Sequence, residues 1–230
     1  MTTATGSVAE QDKLIGASDA AGLVRRGDTL MVGGFGLVGK PLGLVEALLG
    51  NADATDLTII SNNLGEPGRG LGRLLQEGRV RKAVGSFFTS NPDAVAAHAA
   101  GTLEVELLPQ GTMAEAIRAG GAGIGAFYVR TGVGTQQARG REVHDINGVP
   151  HLLQHALQAD VSLIRARTAD ALGNLVYDKT ARNFNPDMAT AGRIVIAEVD
   201  EIVAVGRLDP EAVVTPHVLI DHLVVSGDAS

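Results

Sequence analysis

Short apolar runs alternate with helically spaced segments along the first half of the chain. Thr29–Val32, Leu57–Ile60, Arg81–Phe87 and Leu103–Leu108 read as strands. Between them, Ser18 is expected to cap a short helix that ends at Gly27. Pro41 sits where the first helical position of Leu42–Leu49 would be, with Gly50 as the stop. A helical segment runs over Leu71–Gln76 to Gly78, and Asn91-Pro92-Asp93 opens another through Ala100. Thr112 and Glu115 have capping-box spacing for a helix to Ala119. This alternation predicts an α/β protein with an open, mostly parallel sheet flanked by helices. Ligands of such sheets bind beyond the carboxyl ends of the strands. The loops Gly33–Lys40, Ser61–Asn63, Phe87–Asn91 and Pro109–Gly111 should therefore share one rim.

The second half is less regular. Gly120–Gly125 and Thr131–Thr135 are glycine-rich. Val143–Ile146, Asn147-Gly148 and Val149–Leu153 read as a hairpin with a tight turn. Val161–Ala166, Ile194–Val199 and Val218–Val225 are apolar strands. No linker divides the chain and no repeat is apparent. The expected organisation is a flexible tail at 1–12 followed by one domain over 13–230.

Composition narrows the function. With 230 residues, 45% hydrophobic and 20% charged, the chain can bury one sizeable core. Aromatics are 3% and glycines number 30, which suits close strand–helix packing and disfavours stacking platforms for nucleic acid. A net charge of −7 without a basic cluster also argues against nucleic acid. The absence of cysteine removes a thiolate nucleophile and Cys-ligated zinc. No apolar run approaches a membrane span, so a cytoplasmic location is expected.

The loop Gly33-Gly34-Phe35-Gly36-Leu37-Val38-Gly39-Lys40-Pro41 contains the glycine spacing of a dinucleotide fingerprint between a strand and a helix. That reading needs an acid at the end of the second strand, where Ser61, Asn62 and Asn63 stand; Asp53 and Asp56 precede the strand. The same residues nearly spell a phosphate-binding P-loop, but Pro41 replaces the Ser or Thr that would hold magnesium.

Four segments together resemble the A (alpha) chain of family I CoA-transferases acting on 3-oxoacids. The first runs from Gly27-Asp28-Thr29-Leu30-Met31-Val32-Gly33-Gly34-Phe35 to Gly39 and Pro41, and the second is Ser61-Asn62-Asn63. The third is Leu108–Glu115 with Arg118–Gly123; the fourth is Gly173-Asn174-Leu175 with Lys179–Pro186. Val214-Thr215-Pro216 and Ile220-Asp221-His222 resemble the acetate/acetoacetate branch. The likeness covers about residues 14–226 in order. It implies a CoA-transferase type of sheet and a covalent exchange. A glutamate carboxylate attacks an acyl-CoA thioester and forms an anhydride. The released thiolate attacks that anhydride and leaves a glutamyl-CoA thioester, which an incoming acid reverses.

The resemblance also divides the labour. It places the nucleophilic glutamate on a partner B subunit, in an expected α2β2 heterotetramer, and Gln110 beside the reacting carboxylate as an auxiliary donor. It implies coenzyme A contact on Gly33, Gly34, Phe35, Gly36, Leu37, Val38 and Gly39, and makes Asn62 and Asn63 candidates for the substrate pocket. Coenzyme A is a substrate, with no tightly bound cofactor and no metal expected. Lys40, Leu42 and Gly125 depart from common family residues, and the stretch between Thr135 and Glu142 is short, which leaves the carboxylate substrate open.

The remaining candidates have plainer readings. Glu66 is expected to be a solvent-facing loop acid, although it would be the first nucleophile candidate if the chain acted alone. His151 and His155 have metal-ligand spacing but lack a third ligand in register. Arg182-Asn183-Phe184-Asn185 could bind an anion, but a structural turn is the expectation, with Asn185 capping a helix from Pro186. Two further functions stay open: a regulatory module sensing an acyl-CoA or sugar phosphate, and a nicotinamide-dependent dehydrogenase.

Overall fold

The computed structural model describes residues 13–227, so the expected tail at 1–12 lies outside the described residues. In chain order the principal elements are α1 (Ala17–Ala21), β1 (Thr29–Val32), α2 (Leu42–Ala47), β2 (Leu57–Ile60), α3 (Leu71–Gln76), β3 (Val80–Gly85), α4 (Pro92–Ala99), β4 (Glu104–Leu107) and α5 (Gln110–Gly121). They continue as β5 (Ala126–Val129), β6 (Val143–Ile146), β7 (Val149–His155), β8 (Ala159–Arg165), β9 (Thr168–Asp170), β10 (Leu175–Val176), α6 (Asn185–Ala191), β11 (Gly192–Val199), β12 (Glu201–Val203) and β13 (His222–Val225).

Seven strands form one sheet in the order β13-β11-β8-β1-β2-β3-β4, and every pairing in it is parallel. A parallel sheet must bury both faces, which explains why β1, β8 and β11 are buried along most of their length. Alternation divides each strand between two cores. Leu30 and Val32 face one with Leu44, Leu71 and Ala94 from α2, α3 and α4. Met31 faces the other with Met113, Ile117 and Met188 from α5 and α6. β4 is an edge strand, and its Glu104 and Glu106 both pair with Lys82. Charge on such an edge opposes further strand pairing.

The glycines of α5 have a packing reason. A Cβ on Gly121 would lie 1.8 Å from Thr190 Oγ1 of α6, and one on Gly120 would lie 2.0 Å from the Leu157 carbonyl. Two three-stranded sheets stand outside the main one, ordered β10-β9-β12 and β5-β7-β6. The second contains the expected hairpin, with Asn147 at φ 55 and Gly148 at φ 77 in its turn.

Several local expectations change. Ser18 lies inside α1, whose N-cap is Gly16, and the helix stops at Ala21. Pro41 is the N-cap of α2 and not its first helical residue. β3 ends at Gly85 because the next N–H groups, of Ser86 and Phe87, turn to the Asn62 carbonyl. α5 begins at Gln110, with Pro109 as its cap. Thr112 is thus helical, and Glu115 bonds Arg118 and not a cap. The last strand begins at His222, because His217–Leu219 is a turn of 3-10 helix. The short strands β5, β9, β10 and β12 lacked a readable pattern.

Candidate active site

The loops after β1, β2, β3 and β4 lie together at the carboxyl edge of the sheet, as strand order requires. The Asn62 carbonyl accepts from the Ser86 and Phe87 amides, and Leu108 N–H donates to the Gly85 carbonyl. Asn62 Nδ2 donates to Ser86 Oγ at 2.9 Å and to Gln110 Oε1 at 3.4 Å. The structure therefore brings Asn62 and Gln110 together from two loops. Asn63 bends differently: its Oδ1 accepts from Gly65 N–H at 3.0 Å, and the residue lines a cleft.

That cleft has a volume of about 220 Å³. One wall is Phe35, Gly36 and Leu37; the other is Asn63, Gly65 and Glu66, with Phe87 and Ser90 from the third loop. Phe35 and Phe87 are 48% and 55% exposed, which leaves two aromatic rings at an open mouth. Glu66 is exposed, as expected of a loop acid, yet it also belongs to the cleft wall.

The two walls share a shape that was not apparent from the sequence. Phe35 and Val38 exchange both backbone hydrogen bonds, at 3.0 and 3.1 Å, around Gly36-Leu37. Glu66 and Arg69 are bridged in the same way around Pro67-Gly68, with one bond of 3.0 Å. Glycines flank each miniature hairpin: Gly34 and Gly39 in the first, Gly65 and Gly70 in the second, all at positive φ. The readable signal was the same five-residue glycine spacing occurring twice.

The glycine loop is tied to the far half of the chain. Asn183 Oδ1 accepts from Gly34 N–H at 3.1 Å, and its Nδ2 donates to the Val38 carbonyl at 3.0 Å. Asn185 Nδ2 donates to the Gly39 carbonyl at 3.0 Å, while its Oδ1 accepts from Arg165 N–H at 2.9 Å. Asn185 thus spans the carboxyl ends of β1 and β8, where the strand order reverses. A Cβ on Gly33 would sit 1.8 Å from Asn185 Oδ1, and one on Gly39 would sit 2.2 Å from the Ala181 carbonyl. These glycines make room for the chain's own asparagines. The crevice that a dinucleotide occupies in related sheets is filled, and the Gly34 donor is taken.

This arrangement corrects the reading of Arg182–Asn185. Asn185 is the first residue of α6 and does not cap it; Phe184 holds the cap position without a side-chain bond. Asn183 takes up φ 25, ψ −121, a conformation that favours glycine, so its side chain must justify its presence.

Lys40 is buried at 3% exposure beneath the loop. Its Nζ donates to Ser61 Oγ at 3.0 Å, and Ser61 Oγ donates to the Val32 carbonyl at 2.8 Å. Burial pushes the Lys40 amine down from 10.5 to about 7. His151 and His155 lie on β7, where four residues span roughly 13 Å, too far for one metal ion. Among the described residues no helix is long and apolar enough to cross a membrane.

A family model described as Coenzyme A transferase matches residues 15–226. The chain is 52% identical over 207 residues to the A chain of the succinyl-CoA:3-ketoacid coenzyme A transferase of Xanthomonas campestris pv. campestris (strain B100), covering 90% of this chain and 85% of that one. It is 46% identical over 217 residues to the alpha chain of the acetate CoA-transferase of Escherichia coli (strain K12), covering 94% of this chain and 98% of that one. Its fold is similar to an acyl-CoA transferase from E. coli O157:H7, solved as a thioester complex with CoA. The TM-score is 0.86 at 24% identity, over 96% of this chain and 48% of that one. The chain therefore spans about half of that structure.

Proposed function

The chain belongs to the coenzyme A transferase family, and from that membership we propose that it is the A-type chain of a two-subunit 3-oxoacid CoA-transferase. Coenzyme A is then a substrate and a B-type chain its partner. We further propose acetyl-CoA or succinyl-CoA as donor, acetoacetate as acceptor, and an α2β2 assembly with 13–230 as one domain. The names carried by the two relatives support this choice.

The observation that carries the reading is the contact between Asn62 and Gln110 at the rim where the loops after β2 and β4 meet. A thioester carbonyl attacked by a carboxylate gains negative charge on its oxygen. That oxygen is stabilised by a preset amide donor, and Gln110 stands exposed at the rim, where it can present one. Asn62 occupies Gln110 Oε1, which leaves the Nε2 group to donate toward the reacting centre. The nucleophilic glutamate is supplied by the partner. Its carboxylate expels the CoA thiolate and forms an anhydride; the thiolate then attacks the glutamyl carbonyl and expels the acyl carboxylate. The Gly33–Gly39 loop meets coenzyme A through its exposed tip around Phe35, Gly36 and Leu37, and Asn62 and Asn63 belong to the acid's pocket.

The test is reconstitution. The purified chain alone should show no transfer between succinyl-CoA and acetoacetate, and co-expression with a B-type chain should restore it. A mass measurement on the complex checks its stoichiometry. Full activity from the isolated chain would overturn the assignment of the nucleophile.

A further inference from the structure

We propose that Asn183 is a positioning residue that holds the glycine loop in its binding shape before acyl-CoA arrives. This rests on the reading of that loop as the coenzyme A contact.

The loop stands out from the sheet with little support of its own. Its tip closes through the two Phe35–Val38 backbone bonds, and Phe35 and Val38 are 48% and 53% exposed. Such a tip can swing as a unit unless both legs are fixed. Asn183 fixes both with one amide: its oxygen takes the N–H of Gly34 on the incoming leg, and its nitrogen gives to the carbonyl of Val38 on the outgoing leg. The amide is itself held by Phe184 N–H at 2.7 Å, by Asn185 Nδ2 at 3.3 Å, and through its own donation to the Thr180 and Ala181 carbonyls. A short side chain that both accepts and donates is required. Aspartate would keep the bond to Gly34 but turn an acceptor toward three carbonyls. A loop set in advance spares the ligand the entropy of ordering it. The residue acts on binding and not on the reacting atoms, because Gln110 stands on a different element.

The backbone of Asn183 suits glycine, so Asn183→Gly removes the side chain without adding strain. In the reconstituted two-chain enzyme, Asn183→Gly should raise KM for the acyl-CoA donor roughly tenfold or more, with kcat within about threefold of wild type. Amide exchange at residues 34–38 should accelerate. A wild-type KM would overturn the proposal, even if the melting temperature fell. Asn183→Asp is the second variant. It should also raise KM, and wild-type kinetics from it would show that the Val38 leg needs no donor and overturn the two-leg clamp. A wild-type complex without transferase activity would instead refute the functional reading on which this rests.

Discussion

Lys40 Nζ lies 3.0 Å from Ser61 Oγ, and among the described residues the lysine forms no salt bridge. A buried amine without a carboxylate is held near neutrality by desolvation alone. Between about 7 and its ordinary 10.5 the unfolded chain binds a proton that the folded chain does not. Stability from this group therefore rises with pH across that window, and below about 7 the folded chain carries the full cost of a buried charge. Lys40→Met should be more stable than wild type at about pH 6, with the gap closing as the pH rises. Above about 10.5, where the amine is neutral in both the folded and the unfolded chain, wild type should gain by up to about 1 kcal/mol from its bond to Ser61. Melting curves across this range check it; a constant gap would mean that Lys40 does not titrate there.

Gln110 should act on the rate and not on binding. Gln110→Ala in the reconstituted enzyme should lower kcat about a hundredfold with little change in KM, the usual cost of one oxyanion donor. Steady-state kinetics decide the point. A rise in KM at constant kcat would move Gln110 from the reacting centre to ground-state binding.

The loop glycines should differ in what they tolerate. Gly33→Ala meets Asn185 Oδ1 at 1.8 Å, and Gly39→Ala meets the Ala181 carbonyl at 2.2 Å with φ at +68. Each should cost roughly 3 kcal/mol or more. Gly36→Ala has nothing within 4 Å and only its φ of +61 to strain it, a cost of about 1 kcal/mol. Denaturant titration of the three variants gives the order directly. Equal losses would refute the view that the loop is shaped by contact with the asparagines.

Glu198 is buried and receives three donors: Leu44 N–H at 2.9 Å, Arg165 Nη1 at 3.2 Å and Ser226 Oγ at 3.1 Å. It joins the start of α2 to the ends of β8 and β13. Removing it leaves Arg165 with Asp200 as its one remaining carboxylate, beside the Ser226 hydroxyl, and strips a helix N–H of its partner. Glu198→Ala should cost about 3–5 kcal/mol, as for other broken buried pairs. Urea unfolding measures it, and a loss below about 1 kcal/mol would make the cluster incidental.

The sequence by itself determined the features that depend on near neighbours. β1, β2 and α3 fall at their expected limits, because an apolar run or helical stripe between turn residues needs no distant partner to be read. Strand–helix alternation determined the parallel sheet and hence the shared rim of Gly33–Lys40, Asn62 and Gln110. Local logic failed where a distant group outweighed it. Thr112 looked like a cap until Pro109 set the start of α5, and Asn185 looked like one until Gly39 and Arg165 claimed its side chain.

Only the tertiary structure decided what the glycines are for. Asn183 meets Gly34 across 149 positions and Val38 across 145, a pairing invisible to any spacing rule. Hydrogen-bonding groups left unmade in a tight loop are costly, and the fold satisfied them from the other half of the chain. Beside the glycine loop, Gly33 leaves room for the Asn185 side chain and Gly39 for the Ala181 carbonyl and Asn183, contacts that the spacing of the motif does not encode.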